Sequence, residues 1–110
     1  MNATSTALRE LFNRIPRRHT PENVKEIYGI LDDYEQLLQS IEAESSVFEK
    51  EVAQFFESLD PIRATIKKSS DNKASKKTKD TLFDEASGSL KDGMEALMEF
   101  YSKQSKTEKS

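Results

Sequence analysis

The chain has 110 residues, 35% of them hydrophobic and 34% charged, with a formal net charge of −3, three glycines, three prolines and no cysteine. That length fits one domain with a modest core, and the absence of thiols excludes a disulfide framework and cysteine chemistry. No apolar run approaches the roughly 20 residues that span a bilayer, the N-terminus lacks a signal-peptide core and β-branched runs are missing, so the expectation is a soluble, cytoplasmic, all-α protein.

Residues 1–19 predict a short amphipathic helix and a basic arm. Leu8, Leu11, Phe12 and Ile15 fall at helical spacing, Thr4 or Ser5 is available to cap, and Pro16 stops the helix. So short a helix is marginal alone and must dock on something. It either covers one end of the helix that follows or serves as an organelle transit peptide, since residues 1–20 carry four Arg against one Glu. Arg14, Arg17, Arg18 and His19 flank Pro16 as a basic cluster, fit to contact phosphate or to lie against the acidic block beyond. His19 has no second His or Cys at ligand spacing, so no metal is expected.

Thr20-Pro21-Glu22-Asn23 is a helix start: a capping hydroxyl, a proline in the first turn and an acid facing the positive helix end. A long heptad helix is predicted over residues 20–68. Val24, Ile27, Leu31, Tyr34, Leu38, Ile41, Phe48, Val52, Phe55, Leu59, Ile62 and Ile66 recur at steps of three and four, interrupted only by Ser45. The preserved phase from Ile41 to Phe48 favours a continuous helix, with a break at Glu44-Ser45-Ser46 as the alternative, because Ser46 stands three residues before Glu49. Gly29 either permits close approach of a neighbour or is tolerated, and Asp60-Pro61 predicts a kink or a new short helix.

Residues 21–60 hold eleven acids and two lysines. Glu35, Glu42, Glu44, Glu49 and Glu51 flank the seam and discourage a simple self-zipper. Tyr28, Ile30, Leu37 and Phe56 widen the stripe, which suits a bundle of three or four helices. Leu31, Tyr34, Leu38, Ile41, Phe48, Val52, Phe55, Phe56 and Leu59 are the residues expected to form the core seam or a partner-binding face.

Residues 69–79 (SSDNKASKKTK) read as a flexible basic linker. Lys67, Lys68, Lys73, Lys76, Lys77 and Lys79 suit phosphate contacts, with Arg14, Arg17 and Arg18 as candidate helpers; otherwise they form a solvated spacer between two acidic helices. Residues 80–103 form a C-terminal helical region weakened by Gly88 and Gly93, where Leu90, Met94, Leu97, Met98 and Tyr101 give one clean apolar face. A helix of about 14 residues there spans about 21 Å and covers under half of the long helix. Residues 104–110 are expected as a disordered tail.

The predicted fold is all-α: a long central helix with shorter N- and C-terminal helices, packed as an antiparallel hairpin or small helical bundle. One His, no Cys and no nucleophile, phosphate-loop or metal-pair motif imply no enzyme and no cofactor. Paired acids such as Glu22 with Glu26 or Asp32 with Glu35 read as solvated faces. The expected function is a non-catalytic interaction protein (adaptor, small chaperone or protein inhibitor) with a protein partner, plausibly basic, in a homo- or hetero-oligomer. The alternatives are a nucleic-acid-associated accessory protein and an organelle-imported subunit of a larger assembly.

Overall fold

The computed structural model describes residues 3–16, 18–44 and 46–109, with side chains over 4–16, 18–44 and 46–103. Among these residues the chain forms α1 (Ala3–Arg14), α2 (Pro21–Glu42), α3 (Ser46–Ser69) and α4 (Lys76–Lys109). Each helix packs on the next and α4 closes back on α1, an up-down-up-down bundle joined by short turns. It is a rod of 54 × 22 × 17 Å.

Thr20 caps α2 as its sequence requires: extended, with its Oγ1 accepting from the Asn23 amide at 3.0 Å, and Pro21 first in the helix. The predicted continuity through residues 44–46 is corrected. Helix α2 ends at Glu42, the Ala43 amide donates to the Gln39 carbonyl at 3.2 Å, and α3 starts at Ser46. Ser45 lies outside the described residues. Ala43 stays right-handed (φ −72°, ψ −14°), so no left-handed residue is needed to stop the helix. The physical reason is burial. A helix of 38 residues or so would leave most of its stripe in water, whereas folding at the one gap in the seam lets each half bury the other.

Asp60-Pro61 starts no new helix, because α3 passes through Pro61 to Ser69. Pro61 and Glu57 are exposed, so the carbonyl deprived of its amide partner faces water. Much of the expected linker 69–79 is helical. Only residues 70–75 lie between α3 and α4, and they form a bonded turn in which the Lys73 amide donates to Asp71 Oδ1 (3.0 Å) and the Ala74 amide to the Asp71 carbonyl (3.1 Å). Ser75 then caps α4, accepting from the Thr78 amide at 3.2 Å.

The largest correction concerns α4, whose 34 residues run through both glycines and on past Lys103 to Lys109, where a disordered tail is expected. Helix-weakening glycines are outweighed when the helix buries a full stripe, here Phe83, Ala86, Leu90, Met94, Leu97 and Tyr101. At 1.5 Å per residue α4 reaches about 51 Å, so it covers the apolar stripe that a C-terminal helix of about 21 Å would have left more than half open. Helix α1 adds Leu8 and Leu11 to the same core, and Ile15 just beyond its end joins them. A Cβ at Gly29 would meet nothing within 4 Å, so of its two readings tolerance is the one adopted.

Candidate functional site

The candidate seam residues all turn inward. Leu31, Tyr34, Leu38, Ile41, Val52, Phe55 and Leu59 are buried, and Phe48 and Phe56 pack half-buried against them. The seam is thus occupied by the chain's own helices. Among the described residues the large hydrophobic side chain left exposed is Val47, at 53%.

Of the seam-flanking acids, Glu35 finds an ion-pair partner across the α2–α3 turn. Antiparallel packing brings Arg63 of α3 to Asp32 (3.1 Å) and Glu35 (2.8 Å) of α2. Arg14 at the end of α1 reaches Glu26 (2.9 Å) and Asp33 (3.6 Å), which removes it from the candidate phosphate contacts. The Arg14 pairs are solvent-exposed and the Arg63 pairs half-buried at the surface, and each is worth about 1 kcal/mol or less; they fix register more than stability. Among the described residues no group of three or more His, Asp or Glu side chains is placed to hold a metal ion.

The remaining candidate bases converge. Because α3 and α4 are antiparallel, Lys67 and Lys68 in the last turn of α3 and Lys76 and Lys77 in the first turn of α4 stand at the same end of the rod, joined by the turn that carries Lys73. All five are exposed, and none makes an ion pair within 4 Å. Arg18 joins them: with Thr20 it shares a cleft with Lys76, Asp80 and Asp84 of α4. The link is the His19 ring, set edge-on against Phe83 with centroids 5.6 Å apart, so the basic arm is pinned to the α4 end of the bundle. Arg17 lies outside the described residues. Chain order alone gave no sign of this meeting, since it depends on α1 folding back along α2.

A shallow groove of about 360 Å³ runs between α3 and α4, lined by Phe55, Ser58 and Thr65 on one side and Ala86, Ser89 and Gly93 on the other. Behind it lies Tyr34, 1% exposed, whose hydroxyl has no hydrogen-bond partner. Burial pushes its proton affinity well above the ordinary tyrosine range. A Cβ at Gly93 would stand 3.6 Å from that hydroxyl. The sequence places Tyr34 in the seam but contains no signal that its hydroxyl is left unbonded there.

No helix among the described residues is long and apolar enough to cross a membrane. No protein-family model, no curated protein and no solved structure matches this chain.

Proposed function

We propose that this chain is a non-catalytic interaction protein that takes a basic protein partner on its acidic flank. With the seam filled from within, recognition falls to surface charge. The observation that carries the reading is a row of carboxylates without an ion-pair partner: Glu49, Glu57 and Asp60 on the outer stripe of α3, and Asp92 and Glu95 on α4. A rod with an excess of acids along its side, interrupted by Lys50 and Lys91, steers an oppositely charged partner and sets its orientation. The adaptor and inhibitor roles fit this surface better than a chaperone role, which needs an open apolar groove. Burial of Leu8, Leu11 and Ile15 supports retention of α1 in the working protein, in the cytoplasm or wherever its partner resides.

The test compares the wild type with Glu49→Gln, Glu57→Gln, Asp60→Asn in one variant, each used to capture partners from the native lysate, alongside light scattering of the free protein. A basic protein retained by the wild type and lost from the variant is the expected result. Identical captures from both would overturn the acidic flank as the recognition surface.

A further inference from the structure

We infer that the basic end of the rod is a sequence-independent contact for the phosphate backbone of a nucleic acid, a second surface distinct from the acidic flank. Residues 67–79 hold six lysines against one acid, Asp71, which is engaged in the turn by the Lys73 and Ala74 backbone amides. The fold adds Arg18 from a distant stretch of chain. Elsewhere among the described residues unpaired cations are scattered along the chain, as Arg9, Lys25, Lys50 and Lys91, while Arg14 and Arg63 each grip two carboxylates and Lys103 lies 3.5 Å from Glu99. At this end Lys67, Lys68, Lys73, Lys76 and Lys77 stand together, none with an ion pair.

The backbone adds to the excess. The first turn of α4 contains no acid, so Lys76, Lys77 and Lys79 sit on the positive end of a helix dipole. An anion brought there relieves repulsion from both the side chains and the dipole. Ammonium groups on flexible stems are compact, hydrated charges suited to phosphates without reading bases. The aromatic rings of this end, His19 and Phe83, are turned onto each other, so no platform for base stacking is exposed. Contact with phosphate, and not with bases, is what these groups can make.

The acidic flank opposes a duplex lying along the rod but not one meeting its tip. Along α3, Asp60 stands seven residues and Glu49 eighteen residues from Lys67, roughly 10 and 27 Å at 1.5 Å per residue. The screening length at physiological salt is about 8 Å, so in an end-on approach the α3 carboxylates are out of range. On α4, Asp80 and Asp84 share the cleft of Arg18 and Lys76, about 6 and 12 Å along the helix from Lys76, and with Asp71 they offset only part of the charge of six lysines and Arg18. A section of 22 × 17 Å spans a duplex groove and the phosphates on either rim. An anionic bilayer is the weaker fit: stable attachment there takes an apolar side chain or a lipid as well as charge, and exposed Val47 belongs to the opposite end.

Fluorescence anisotropy of a labelled duplex and a labelled single strand, each of mixed sequence, tests this. Both should bind at about 50 mM salt, and duplex affinity should fall with a log–log salt slope of about −4.5, as five lysines at about 0.9 each imply. The variant Lys67→Gln, Lys68→Gln, Lys76→Gln, Lys77→Gln should weaken binding at least about tenfold and flatten the slope to about −1. Glutamine keeps helix propensity near that of lysine, and circular dichroism checks that the fold survives. Lys50→Gln with Lys91→Gln, remote from this end, should leave binding unchanged. No binding at about 50 mM salt, undiminished binding by the fourfold variant, or tighter binding to phosphatidylserine–phosphatidylcholine vesicles than to duplex at equal salt would each overturn the assignment.

Discussion

At the α2–α3 turn Phe48 stacks on Tyr101 with rings 5.2 Å apart and 5° from parallel, Phe100 meets Phe48 edge-on, and the Tyr101 hydroxyl donates to Glu44. At the α3–α4 turn the chain reverses through hydroxyl and carboxylate caps, with Ser69 Oγ donating to the Ile66 carbonyl at 2.5 Å and Ser75 capping α4. The first end is closed by aromatic contact; the second is closed by local hydrogen bonds and carries the lysines. Side chains that seal a core are not free to meet a partner. The contrast therefore separates an end built for stability from one whose charged groups remain available.

The largest effect expected from that contrast is at Tyr101. Tyr101→Ala removes a buried ring, its stack on Phe48 and its bond to Glu44, and should lower stability by about 3 kcal/mol in urea unfolding. Tyr101→Phe keeps the ring and should lose about 1 kcal/mol. Lys77→Ala at the other end should shift stability by less than about 0.5 kcal/mol. Equal losses at Tyr101 and Lys77 would erase the distinction between the ends.

Between the ends, the Tyr34 hydroxyl is a defect in the core. Tyr34→Phe removes an unbonded buried hydroxyl and should raise stability by about 1 kcal/mol at neutral pH. The pH dependence has a definite sign. Burial raises the folded-state value above the ordinary tyrosine value of 10.0, so the unfolded chain releases this proton first as pH climbs. Stability present below about pH 10 is lost above it, by about 1.4 kcal/mol per pH unit, until the folded form also ionises. Subtracting the Tyr34→Phe curve from that of the wild type isolates this slope, and a flat difference would mean that the hydroxyl is hydrated in solution.

Much of the fold is legible in the sequence: the cap at Thr20, the inward stripe from Val24 to Ile66, and the apolar face from Leu90 to Tyr101. Two features are hidden for one shared reason. Continuity through Glu44 to Ser46 follows from helix phase, but phase is preserved equally when two helices bury the same stripe against each other. Gly88 and Gly93 weaken an isolated helix, but α4 is not isolated, and burial of Phe83 and Ala86 carries it through them. The basic cluster was visible as two fragments. That Arg14 leaves it for Glu26 and Asp33, while Arg18 reaches the cleft beside Lys76, follows only from the reversal of α1 along α2.

The smallest expected effect discriminates within the basic end, because two helix termini of opposite sign meet there. Lys67 and Lys68 lie in the last turn of α3, where a cation is favourable to the dipole, and Lys76 and Lys77 lie in the first turn of α4, where it is unfavourable. Lys76→Gln with Lys77→Gln should therefore raise stability by about 0.5 kcal/mol at low salt. Lys67→Gln with Lys68→Gln should lower it, by less, because losing those charges also relieves repulsion across the turn. Both shifts should vanish at about 1 M salt, where the screening length is about 3 Å. A loss of stability on neutralising Lys76 and Lys77 would mean that Asp80 and Asp84 hold those lysines in solution. The charge of this end would then be spent within the chain, and a phosphate backbone would find no excess to neutralise.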